Sequence, residues 1–250
     1  MKLRKFLFIL IPFLLTTACC KVVDISKSEY NPVVVNNLAA GNDAVSDSII
    51  KPYSDKVSGI MNAVIGYADT TLWIGKPEST LGNYIADLLL EESDKSPAGK
   101  SDMALFNNGG LRVPISKGPI TRGNIFKLMP FENEIVVVKL KGSFVKEMVD
   151  YIAQSGGQPV SGIKMGISNN KPSDVLIAGM PVDTAKYYRI VTSDYLARGG
   201  DKMNFFLKRS DMVQTGLKVR DAIIDFIQSK YLEGKNITGK TDGRVYNKTP

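Results

Sequence analysis

Apolar residues recur at helical spacing at Ile49, Tyr53, Val57, Ile60, Met61, Val64 and Ile65. That stripe predicts a helix over residues 49–66, with Pro52 near its start, where proline is tolerated. Leu81, Tyr84, Ile85, Leu88 and Leu89 predict a second helix over residues 80–92. The short apolar run at 102–107 reads as a buried strand ending in a glycine turn, and the valine-rich alternation at 134–141 as another strand. Helical spacing returns through Phe144, Val145, Met148 and Ile152. Residues 187–192 are strand-like, and 219–231 form a closing amphipathic helix. Pro32 to Val35 offer an additional edge strand. This mixture predicts an α/β (α+β) fold of two layers, a mixed sheet with helices, joined by connections longer than hairpins.

The first residues follow a different pattern. Lys2, Arg4 and Lys5 precede an apolar run from Phe6 to Leu15, interrupted only by Pro12, and then Thr16, Thr17, Ala18, Cys19 and Cys20. A bilayer core of about 30 Å needs about 20 apolar residues, so this run is too short to span one. It predicts a secretory signal over residues 1–18, and the cysteine after Ala18 resembles a bacterial lipobox. Cys19 is the expected lipidation site, residues 19–47 the tether, and 48–250 a single domain. A plain signal peptide with incidental cysteines is the alternative. No cysteine follows Cys20, so a disulfide framework through the fold is excluded. The expected place is the bacterial cell envelope, outside the cytoplasm, with membrane attachment through lipid.

Composition narrows the chemistry. Of the formal charge of +7, three charges belong to the leader, leaving +4 on the remainder. No basic stripe interleaved with stacking aromatics is present, so nucleic acid is not an expected partner. The chain contains no histidine, which removes the usual general base and the commonest transition-metal ligand.

Three corners carry candidate binding chemistry. They are Asn107-Asn108-Gly109-Gly110-Leu111-Arg112, Leu128 to Asn133, and Ser193 to Asp201. Glycines permit tight turns and close approach of backbone N–H groups. Arg112 supplies a fork for an anion, Phe131 and Tyr195 supply flat faces for a heterocycle, and Asp201 supplies an acceptor for sugar hydroxyls. Each also has an ordinary structural reading, as turn, core plug or surface ion pair. Their combination is what points to a nucleotide.

In order along residues 49–245, this chain resembles the C-terminal domain of the 5′-nucleotidase family. The matching segments are Glu78 to Asp87, Asn107 to Arg112, Gly118 to Asn124, Met129-Pro130-Phe131 and Tyr195 to Asp201. The resemblance implies that Phe131 and Tyr195 clamp a base, that Asp201 contacts ribose, and that Asn107 and Arg112 lie near sugar and phosphate. It further implies that Asn133 and Gly162 line the pocket. Tyr195 stands where phenylalanine is common, and only Lys76 stands near the place of an additional phosphate-binding arginine.

In that family, two-metal hydrolysis belongs to an N-terminal metallophosphoesterase domain. No such domain fits between the leader and residue 49, so no catalytic residue and no metal ligand is assigned to this chain. Divalent metals are expected only in a separate metallophosphoesterase chain. Two functions follow as expectations: the nucleotide-recognition part of a split 5′-nucleotidase, or a non-catalytic envelope lipoprotein that binds nucleosides or nucleotides. A domain that has kept the fold and lost the pocket is the third.

Overall fold

The computed structural model describes residues 44–97 and 99–248. The leader, Cys19, the tether up to residue 43 and the Pro32–Val35 stretch lie outside the described residues. The chain divides between Ile50 and Lys51, and among the described residues every strand lies in the second unit.

The helices are α1 (Ala44–Met61), α2 (Thr80–Asp94), α3 (Arg122–Leu128), α4 (Gly142–Gln154), α5 (Asp194–Ala197) and α6 (Val219–Leu232). The strands are β1 (Val64–Ala68), β2 (Met103–Leu105), β3 (Gly118–Thr121), β4 (Glu134–Lys141), β5 (Val160–Ser161), β6 (Ile163–Ser168), β7 (Lys171–Ile177), β8 (Met180–Pro181), β9 (Tyr187–Ser193), β10 (Asp211–Lys218) and β11 (Val245–Asn247).

The main sheet has five strands in the order β10-β4-β9-β2-β5. It is mixed, because β9 runs parallel to β2 and antiparallel to β4. Ile135, Val136, Val137 and Val138 are all buried, since β4 is covered on both faces, and such a strand reads as a continuous apolar run. Helix α2 packs on β2 and β5 and meets α6, burying Leu81, Ile85, Leu88 and Leu89. Each such side chain contributes about 1.5–3 kcal/mol by leaving water. Ser79 caps α2 by accepting from the Gly82 N–H.

A second sheet, β11-β6-β7-β8, and a β1-β3 pair complete the strands. The β6–β7 connection corrects the expectation of long connections. Asn169 and Asn170 both take positive φ, 50° and 58°, closing the strands with a two-residue turn. Asparagine tolerates that conformation, and such turns match the twist of the paired strands.

The first helix also departs from its expected bounds. It begins at Ala44 and ends at Met61, so Pro52 lies in its interior and not near its start. None of its residues is buried, and Ile49, Tyr53, Val57 and Ile60 are exposed. Val64 and Ile65 belong instead to β1, where Gly66 passes so close to α6 that a Cβ there would lie 2.6 Å from the Ile227 side chain.

Candidate functional site

The first corner begins where β2 ends. The Phe106 N–H donates to the Pro159 carbonyl, and Asn107 stays extended before a single tight turn at Asn108–Gly110. Buried Gln158 fixes this turn by accepting from the Asn108 N–H at 2.9 Å. A Cβ on Gly110 would stand 2.6 Å from Asn107 Oδ1 and 2.7 Å from the Phe106 ring, so only glycine fits without displacement. Arg112 then donates from its backbone to the Leu128 carbonyl, and from Nη1 to the Gly109 carbonyl at 3.2 Å. Its guanidinium lies 5.9 Å from the Phe131 ring centroid. That distance is within reach of a cation–π attraction.

The second corner follows α3, which Thr121 and Asn124 start with a capping box. Arg220, buried on α6, holds the loop beyond it. Its guanidinium covers the Phe126 ring at 4.2 Å and ion-pairs with Glu132. Nη1 reaches the Phe131 carbonyl at 3.5 Å. The Asn133 carbonyl accepts from the Val219 N–H at 2.9 Å. Hydrogen bonds from Lys218 and then Arg220 pull the Glu132 carboxyl down from 4.5 to about 2.

The third corner leaves β9. The Ser193 hydroxyl caps α5 through the Leu196 N–H, and Asp194 accepts from the Glu134 N–H at 3.0 Å. Gly199, at φ 89°, turns the chain toward Asp201, which is itself left-handed at φ 50° and ψ 31°. Asp201 accepts from Asn107 Nδ2 at 2.6 Å and from the Tyr195 hydroxyl at 2.8 Å, one bond to each carboxylate oxygen. The Tyr151 hydroxyl, on α4, donates to its backbone carbonyl at 2.8 Å. Burial, then the Asp201 charge, holds the Tyr151 phenol above its ordinary value.

These corners meet around one cavity of about 310 Å³. Asn107, Arg112, Phe131, Asn133, Tyr195 and Asp201 all line it, together with Gly109 and Gly110. Phe131 and Tyr195 are 39% and 45% exposed, so their rings remain available to a ligand. The volume falls at the lower end of small-molecule pockets, about 300–1,000 Å³.

Gly162 is not among the residues that line it. It borders a separate depression beside Lys164 and Arg244. Its glycine identity follows from close backbone approach: a Cβ there would meet the Asp102 carbonyl at 2.4 Å, and φ is 74°. Lys76 is likewise not among the lining residues, and its ammonium donates to the Ser155 carbonyl at 2.5 Å.

Tyr151, Gln158 and Arg220 are support residues that the sequence did not single out. Tyr151 and Arg220 sit within helical patterns, where nothing distinguishes a positioning side chain from an ordinary one. Gln158 follows two glycines in a loop, a signal too common to use.

The lining carries one guanidinium, one carboxylate, two aromatic faces and two amides, with no Ser, Thr, Cys, His or Lys among them. That set suits holding a ring, a polyol and an anion. Among the described residues, no group of three His, Cys, Asp or Glu side chains is placed to hold a metal ion, and no helix is long and apolar enough to cross a membrane.

Comparison with known proteins gives a consistent result. Residues 64–208, over half of the chain, match the model of the "5′-nucleotidase, C-terminal domain" family. The chain is 27% identical over 245 residues to the trifunctional nucleotide phosphoesterase protein YfkN of Bacillus subtilis, covering 90% of this chain and 16% of that protein. It is 25% identical over 244 residues to the cell wall protein Lmo0130 of Listeria monocytogenes, covering 87% and 31%. The crystal structure of a 5′-nucleotidase precursor from Thermus thermophilus superposes with a TM-score of 0.71 at 28% identity, covering 84% of this chain and 44% of that one. The chain therefore spans less than half the length of each of these proteins.

Proposed function

This chain belongs to the family of 5′-nucleotidase C-terminal domains, and from that membership we propose that it is a nucleotide-recognition module. In this reading Phe131 and Tyr195 hold the base between them. Asp201 accepts from the ribose hydroxyls, and Arg112 faces the phosphate. The observation that carries the reading is the convergence of those four side chains, drawn from three separate corners, on one cavity.

The module acts with a metallophosphoesterase carried by a separate chain, which supplies the divalent metals and the bond-breaking step. The family match to a C-terminal domain supports this division of labour. The same match supports the second reading, a non-catalytic envelope lipoprotein that captures nucleosides or nucleotides. Both place the protein outside the cytoplasm, held to the membrane through lipid on Cys19. The match to a cell wall protein supports export.

Phosphate release from AMP separates the two. It is measured with this chain alone, with a metallophosphoesterase chain lacking its own C-terminal domain, and with both together. Activity that appears only in the mixture supports the split enzyme. AMP binding by this chain with no gain in the mixture supports capture, and neither binding nor gain rejects both.

A further inference from the structure

We propose that Tyr195 is a positioning residue for Asp201 as well as a ring surface. Its hydroxyl sets the carboxylate to accept from the paired hydroxyls of a riboside. The inference rests on the nucleotide-recognition reading and adds to it a cause of sugar selectivity.

Asp201 is an unusual acceptor. It is a non-glycine residue in the left-handed region, at φ 50°, and it is followed by Lys202 at φ 64°. Residues persist there when surrounding bonds determine them. Four bonds do so here. The Tyr195 hydroxyl donates to Oδ1 at 2.8 Å and also accepts from the Asp201 N–H at 3.3 Å, closing a small ring between the two residues. Asn107 takes Oδ2, and Tyr151 takes the carbonyl. Two of the four bonds therefore come from one phenolic oxygen.

Lone-pair counting gives the consequence. A carboxylate offers about four acceptor sites. One on each oxygen is occupied within the protein, by Tyr195 and by Asn107. One on each oxygen remains for a ligand, and two adjacent hydroxyls match that pair. Gly200 also passes close against the Tyr195 ring: a Cβ there would lie 2.5 Å from it. Ring surface and sugar acceptor are thus one unit. A phenylalanine at 195 keeps the ring and removes both bonds to Asp201.

The test is calorimetric titration of the wild-type chain, Tyr195→Phe and Asp201→Asn with adenosine and with 2′,3′-dideoxyadenosine. The expected result is a loss of about tenfold in adenosine affinity for Tyr195→Phe, the scale of a hydrogen bond to a charged group. The dideoxy affinity should change less than about twofold, since that ligand has no hydroxyl pair for Asp201 to accept from. Asp201→Asn should abolish the preference for adenosine, and Tyr195→Phe added to it should have no further effect on that preference. Equal losses for both ligands in Tyr195→Phe, or no loss for either, would overturn the inference and leave the nucleotide reading standing. A wild-type chain that binds neither ligand overturns that reading, and this inference with it.

Discussion

The side-chain amide of Asn107 donates to Oδ2 of Asp201 across 2.6 Å, joining residues 94 positions apart. Asn107 is buried just beyond β2, whereas Asp201 is exposed. The bond thereby ties the Asp201 carboxylate to the segment leaving β2. A charge-assisted bond of this kind is stronger than a neutral one.

Asn107→Ala should therefore lower stability by about 1–2 kcal/mol and weaken any riboside bound at Asp201 by about tenfold. Urea unfolding and calorimetric titration read the two effects separately. Unchanged values in both would mean that the bond holds nothing in place.

Gly110→Ala places a methyl against Asn107 Oδ1 and the Phe106 ring, at 2.6 Å and 2.7 Å. Overpacking of this kind costs about 1–3 kcal/mol, and the displaced Asn107 should also release Asp201. Gly59→Ala is the control. It lies within exposed α1 with no atom inside 4 Å, so it should be neutral or slightly stabilising. Thermal unfolding of both variants checks the contrast.

Much of the fold was legible because the strongest elements are locally consistent. The Glu134–Lys141 strand and the helix after it follow from a valine run and then a helical stripe, and the structure has both. The β6–β7 hairpin has a weaker signature: Ile163, Met165 and Ile167 alternate with Lys164, Gly166 and Ser168, but Lys171 to Asp174 carry no apolar alternation. The Asn169-Asn170 pair between the two strands is the turn signal. The stripe into Gly66 misled because Val64 and Ile65 happen to continue a helical period while lying in strand β1. At the site, Gly162 illustrates the limit. A glycine required by a neighbouring backbone looks, in sequence, the same as one that admits a ligand.

Arg220 does not line the cavity but contacts the loop that carries Phe131. It grips Glu132 and covers Phe126, and its Nη1 lies 3.5 Å from the Phe131 carbonyl. Arg220→Met should cost about 1–3 kcal/mol, less than a fully buried pair because Glu132 is exposed. Ligand affinity should fall as the Phe131 loop loosens. Chemical denaturation and titration check it, and an affinity unchanged in the presence of lost stability would confine Arg220 to folding.

The same contact predicts an acid response. Lys218 and Arg220 hold the Glu132 carboxyl at about 2, below its ordinary 4.5. A depressed carboxyl stabilises the fold fully above its unfolded value and loses that contribution as pH falls through the folded one. Wild type and Glu132→Gln should therefore differ by a constant amount above about pH 5. Their stabilities should converge between about pH 4 and pH 2. A difference that persists at the acid end would contradict the assignment.

One titration bears on the whole functional reading. The chain is titrated in a calorimeter with AMP, adenosine and inorganic phosphate, and Phe131→Ala is titrated alongside. Saturable binding of AMP and adenosine, lost in Phe131→Ala and absent for phosphate alone, is the predicted result. Binding of phosphate alone, or nucleotide binding indifferent to Phe131, would contradict recognition through the base.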